Sequence, residues 1–211
     1  MKVLVACEFS GIVREAFRSR GHDAWSCDLL DTEIPSKYHI RGDVLEHLND
    51  GWDMMIAHPP CTYLSNAGIA WFNEKKYGDN AIIRKQLRIE ALNFVLELAN
   101  APISKICIEN PVGWLNSHYR KPEQVIQPWQ FGNTENKRTC LWLKNLPLLN
   151  YTNIVMPEIK GYFKSGKKVG KPIYFVDNIH GKHRAYERSR TFPGIAEAMA
   201  LQWGFSSEEV G

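Results

Sequence analysis

The chain has 211 residues, 44% hydrophobic and 23% charged, with a formal net charge of +3. That length is ample for one core-bearing domain with a small lobe, and the balance excludes a disordered chain. No apolar run approaches the roughly 20 residues that span a bilayer. The opening run from Met1 to Cys7 passes straight into Glu8 without the longer apolar stretch of a signal peptide. A cytoplasmic protein with no membrane partner is expected.

In chain order, Lys2–Cys7 reads as a first strand ending at Glu8-Phe9-Ser10-Gly11. Ile12, Val13, Ala16 and Phe17 then recur at helical spacing, and Gly21 is placed to cap the end of that helix. Ala24–Cys27 is a second strand, ending at Asp28. Gly42-Asp43-Val44 is a turn or strand end. Asp53–Ala57 is a buried strand that stops at His58-Pro59-Pro60-Cys61. Thr62 to Gly78 reads as a loop. Asp79 is placed to cap a long helix to Ala99, with Ile83, Leu87, Leu92, Val95 and Leu96 among its apolar positions. Ser104–Ile108 is the next strand, ending at Glu109-Asn110-Pro111. Thr139–Leu143 and a short Ile173–Val176 are later strands, and Gly194–Trp203 is a final helix.

Strands alternating with helices predict an α/β domain with a largely parallel sheet, whose ligands bind beyond the carboxyl ends of the strands. Those ends carry Glu8 to Gly11, Asp28, Cys61 and Glu109-Asn110. Gly11 lets the backbone turn closely, toward a ligand or as an ordinary strand–helix turn. Asp28 stands where an acid bonds ribose hydroxyls, and is equally suited to capping a loop. Asp43 could hold an amino group in the same way.

The five cysteines, Cys7, Cys27, Cys61, Cys107 and Cys140, contain no Cys-x-x-Cys pair. A disulfide framework or zinc knuckle is not expected. Four lie in or at the end of apolar runs, where a buried inert thiol is the default. Cys61 differs, because two prolines make a rigid turn that presents a thiol at a strand end. Glu109 is placed to hydrogen-bond or protonate a bound base.

Pro157 to Arg190 holds nine Lys or Arg against three acids, so the rest of the chain is mildly acidic. Lys164, Lys167, Lys168 and Lys171 alternate there with Gly161, Gly166 and Gly170, beside Tyr162 and Phe163. Cations on flexible backbone suit phosphate contact, and a plain solvated loop has the same composition. His180 and His183, three apart with no Cys or carboxylate cluster nearby, read as polar loop residues or phosphate contacts rather than a metal site.

Together these residues resemble the DNA cytosine-5 methyltransferase family. Phe9-Ser10-Gly11 is similar to its first cofactor motif, Pro59-Pro60-Cys61 to its catalytic Pro-Cys motif, and Glu109-Asn110-Pro111 to its Glu-Asn-Val motif. The resemblance covers about residues 1–145. It implies a Rossmann-like S-adenosylmethionine-dependent methyltransferase fold with a small basic insertion. The catalytic core would span 1–150, a reduced DNA-contact region 151–190, and a helix returning to the core 191–211. It implies that S-adenosyl-L-methionine is held by Glu8, Phe9, Ser10, Gly11, Asp28, Leu29, Asp43, Val44 and Pro59. Catalysis would fall to Cys61, Glu109, Asn110 and Arg138: Cys61 attacks carbon 6 of a flipped-out cytosine and Glu109 contacts ring nitrogen 3. Arg138 would touch the base, a phosphate or Glu109. Lys137, Arg138, the four lysines and Arg190 would meet DNA, duplex or single-stranded, in a bacterial or phage-infected cytoplasm.

The chain departs from the family at Val13, where a second glycine is usual, at Pro111 in place of valine, and in its short recognition segment. Three other readings stay open: the same chemistry on a free cytosine nucleotide or single strand, amino-group methylation, and a non-catalytic DNA-binding relative.

Overall fold

The computed structural model describes residues 1–174 and 189–205. Seven strands form one sheet: β1 (Lys2–Ala6), β2 (Asp23–Asp28), β3 (His39–Arg41), β4 (Met54–Ala57), β5 (Lys105–Pro111), β6 (Gln124–Ile126) and β7 (Thr139–Lys144). Their order is β3-β2-β1-β4-β5-β7-β6. The first five are parallel, and β7 runs antiparallel between β5 and β6. The domain is therefore α/β with a largely parallel sheet. The chain builds outward from β1 through β2 and β3, then returns to lay β4 and β5 on the other side. That reversal puts a crevice between the ends of β1 and β4.

The central strands β1 and β4 are almost wholly apolar because both faces of the sheet are covered there. Val3, Val5, Ile56 and Cys107 point to one face, under helix α1 (Ile12–Arg18). The C-terminal helix, Pro193–Trp203, packs on the same face and buries Ile195, Met199 and Trp203. Leu4, Ala6, Met55, Ala57, Ile106 and Ile108 point to the other face, where Val95 and Leu98 of the long helix Asp79–Ala99 close the core.

Several local expectations change. Asp79 does not cap the long helix; Gly78 holds the cap position at φ 49°, and Asp79 supplies negative charge in the first turn. Ile83 is 57% exposed, because the inward stripe runs through Ala81, Val95 and Leu98. Residues 62–78 are not all loop: they contain a 3-10 turn, Asn66–Phe72, and a one-turn helix α2 (Glu74–Tyr77), before the long helix, α3. A second one-turn helix, α4 (Leu115–His118), follows β5, and the C-terminal helix is α5. Strand β5 does not end at Ile108 but runs on to Pro111, since β7 pairs with Glu109, Asn110 and Pro111. The expected strand at 173–176 starts earlier, as β9 (Pro172–Ile173), and pairs with β8 (Gly161–Tyr162); Val176 lies outside the described residues.

Candidate active site

The parallel pairing of β4 and β5 matches Ala57 with Ile108 and then runs into two prolines. Pro59 and Pro60 have no N–H to donate, so the backbone ladder stops. Side chains continue it. His58, one position on, places Nδ1 3.2 Å from Oε2 of Glu109. Pro59, two positions on, accepts a hydrogen bond from Nδ2 of Asn110 at 2.8 Å. The four residues thus form two rungs between the turn that carries Cys61 and the end of β5. Strand alternation sends Glu109 toward the α1 and α5 face and Asn110 toward the α3 face.

His58 and Glu109 have side chains only 6% and 14% exposed. Burial alone would push the Glu109 carboxyl up. The hydrogen bond from His58, the positive charge of Lys137 and a hydrogen bond from Thr139 outweigh it and hold the carboxyl below its usual value. Nε2 of His58 is buried and has no hydrogen-bond partner among the described residues.

Cys61 is half-buried, and none of the five cysteines forms a disulfide. Its carbonyl accepts from the amides of Leu64 and Ser65 at 3.1 and 2.9 Å, which folds the chain back immediately after the thiol. Two arginines one turn apart on α3 grip this segment: Arg84 donates to the carbonyl of Thr62 at 3.2 Å, and Arg88 to that of Tyr63 at 2.9 Å. The Arg88 guanidinium also lies 3.3 Å over the ring of Phe72. On the other side Trp114 donates its amide to the Leu64 carbonyl at 2.7 Å. A Cβ on Gly113 would meet that oxygen at 2.1 Å, so only glycine fits there.

At the end of β1, Glu8 is fully buried and accepts from the amides of Val13 and Arg14 at 2.7 and 3.2 Å. Its carboxyl occupies the amino end of α1, where an anionic ligand would otherwise sit. Burial pushes it up, and the charge of His58 and those hydrogen bonds pull it part of the way back. Gly11 has φ 75°, and a Cβ there would meet the Arg14 guanidinium at 2.6 Å. Cys7 also has positive φ, 58°, a strained conformation for a side-chain-bearing residue. Cys7, Glu8, Phe9, Ser10 and His58 line a small cleft at the β1–β4 crevice, with Ser189 and Thr191 on its far side.

Asp28 accepts from the amide of Leu30 at 2.9 Å, and burial raises its carboxyl. Leu29 is 72% exposed beside it. Asp43 caps the 3-10 turn Val44–His47 by accepting from Leu45, while Val44 is buried in the core. Both acids stand at neighbouring strand ends, each spending one oxygen on its own turn. The fully buried Arg14 steadies the stretch after β2 through Ser26, Thr32 and the carbonyl of Ile34.

Lys137, not Arg138, is the cation that acts on Glu109; Arg138 is exposed, and its charge acts on Cys140. Lys164, Lys167, Lys168 and Lys171 are exposed around the tip of the β8–β9 hairpin, with Lys168 over the Phe163 ring at 5.1 Å. Arg190 pairs with Glu33 at 2.5 Å. That ties the stretch before α5 to the segment after β2, whose Glu33 amide donates to Phe9 at 2.8 Å. His180 and His183 lie outside the described residues. Among the described residues no cluster of three or more His, Cys, Asp or Glu could hold a metal, and no helix is long and apolar enough to cross a membrane.

The structure therefore brings Cys61's turn, Glu109 and Asn110 to the carboxyl ends of β4 and β5, with Arg138 exposed just before β7. His58, Arg84, Arg88 and Thr139 were not anticipated in these roles. The available signals were a histidine fixed just before Pro-Pro and two arginines four apart on one helix.

No protein-family model matches the chain, and no curated protein matches it. Among solved structures it is similar to a prophage-encoded E. coli protein described as a candidate DNA modification methyltransferase. The two share 15% identity with a TM-score of 0.45, over 78% of this chain and 58% of that one. The chain thus spans little more than half the length of that protein.

Proposed function

We propose that the chain is an S-adenosylmethionine-dependent methyltransferase acting on carbon 5 of cytosine in DNA, with Cys61 as nucleophile. The observation that carries this reading is the double rung from His58 and Pro59 to Glu109 and Asn110, which fixes an acid and a thiol-bearing turn to one sheet edge. A covalent attack on a base would draw on proximity of this kind, with the turn that carries the thiol tied to the strand that carries the carboxyl.

The residues fit the cofactor. Asp28 and Asp43, at adjacent strand ends, match hydroxyl and amino donors, and exposed Leu29 offers an apolar surface beside them. The buried Nε2 of His58 awaits a polar partner at the cleft. Bound there, S-adenosylmethionine supplies the methyl group. Cys61 forms the bond to carbon 6, Glu109 engages ring nitrogen 3, and Asn110 holds the Pro59 carbonyl so that the turn does not shift. Lysines of the β8–β9 hairpin contact phosphates.

A second reading keeps the chemistry but takes a single strand or a free cytosine nucleotide. The two-residue strands of the basic hairpin favour it, since they form a small surface for reading a duplex.

The test is methyl transfer from tritiated S-adenosylmethionine to duplex DNA, single strands and deoxycytidylate, with wild type and Cys61→Ala. Transfer that vanishes in Cys61→Ala is expected, together with covalent trapping on 5-fluorocytosine DNA through Cys61. Label on an exocyclic nitrogen, or trapping through another cysteine, would overturn the assignment.

A further inference from the structure

We propose that His58 is a positioning residue that keeps a proton for Glu109, so that the pair forms a short relay behind the base. The proposal rests on the cytosine reading above and deepens it. Four observations carry it. His58 Nδ1 lies 3.2 Å from the Glu109 carboxylate. The imidazole is 94% withdrawn from solvent. Its Nε2 has no partner among the described residues. It lines the cleft with Glu8, so it connects the β1 end of the site with the base end.

The need for such a relay follows from the state of Glu109. A carboxyl held below its usual value is ionised at neutral pH and has no proton to give to ring nitrogen 3. Histidine is the side chain that exchanges a proton near neutrality. The charged and titratable groups facing the pair are Glu8 from the β1–α1 turn, Cys7 from the end of β1, Cys107 from β5, Lys137 from the segment before β7, and Cys140 from β7.

The step balances as follows. The doubly protonated His58 ring gives up its Nδ1 proton, ending neutral with its proton on Nε2, and a carboxyl O–H forms on Glu109. Glu109 passes that proton to ring nitrogen 3 as the Cys61 thiolate, its proton already lost to water, forms the bond to carbon 6. The carbon 5–carbon 6 π pair moves between carbons 4 and 5, and the carbon 4–nitrogen 3 π pair takes the proton. After methyl transfer the nitrogen proton returns through Glu109 to His58. The carbon 5 proton leaves to water, and the carbon–sulfur pair departs with Cys61. No oxidant or reductant is required.

The experiment compares wild type with His58→Asn, which keeps an amide donor near the Nδ1 position but cannot store a proton. Full pH profiles of kcat and KM are measured on the best cytosine substrate. His58→Asn should lower kcat at pH 8 on the order of 100-fold, with KM nearly unchanged, and recover as the pH is lowered. A kcat that is unaffected, or one that falls equally at every pH, would overturn the relay. A second arm follows the His58 imidazole by nitrogen NMR in the ligand-free protein. Glu109→Gln should move the chemical shift of His58 Nδ1, because its hydrogen-bond partner changes; an unchanged shift overturns the proposal without reference to activity. A wild type with no Cys61-dependent transfer to any cytosine sinks the parent reading instead, and the NMR arm separates the two failures.

Discussion

The side-chain amide of Asn110 donates to the carbonyl oxygen of Pro59 two register positions beyond the last backbone pair of β4 and β5. Asn110 is 1% exposed, so this bond has no competition from water. Asn110→Ala should cost about 1–3 kcal/mol of stability, because a buried acceptor loses its donor. Its effect on trapping of 5-fluorocytosine should exceed its effect on DNA affinity. Chemical denaturation and a trapping time course measure the two.

Glu109 gives a stability signature with a defined sign. Its folded-state carboxyl lies below the unfolded value near 4.5. Its contribution is therefore fully present above that value and is lost as pH falls through the lower folded one. Wild type should lose stability on acidification below about pH 4.5 more steeply than Glu109→Gln. Denaturant melts between pH 3 and 7 check this, and parallel curves would refute it.

Arg88 holds the segment after Cys61 by one hydrogen bond and one ring contact. Arg88→Ala should cost about 1–2 kcal/mol and open residues 62–73 to hydrogen exchange, leaving β1 protection unchanged. Arg88→Lys should recover little, because an ammonium cannot lie flat on Phe72 and bond Tyr63 in the same way.

The hairpin lysines are tested by salt. Replacing Lys164, Lys167, Lys168 and Lys171 with alanine should reduce the slope of log affinity against log salt by roughly 0.9 for each lysine that meets a duplex phosphate. Arg190→Ala should instead loosen the Glu33 contact and change cofactor affinity more than that slope.

Much of this was legible in the chain. The first strands announced themselves as apolar runs because they are buried on both faces, and the reactive residues fell just after them. What stayed hidden has physical causes. β3 and β6, with only three residues each, are too short to show a period. The extension of β5 through Glu109-Asn110-Pro111 depends on pairing with β7, a contact far away in sequence. Ile83 looked like core by type, but its angular position on α3 faces out. Lys137 was read only as a DNA contact, and its charge on Glu109 depends on the fold of the segment before β7. His58 was visible as a flank, but its bond to a residue 51 positions away was not.

The buried Glu8 has a consequence for what the crevice refuses. In dinucleotide-binding folds the amides at the start of the first helix are open and collect a pyrophosphate. Here the chain's own carboxyl already takes the Val13 and Arg14 amides. A nucleoside triphosphate or dinucleotide entering there would bring its phosphates toward a buried carboxyl and find those two amides already taken. A nucleoside joined to an uncharged or cationic group meets no such obstacle. The turn after β1 thus disfavours a phosphate by spending its own amides before any ligand arrives.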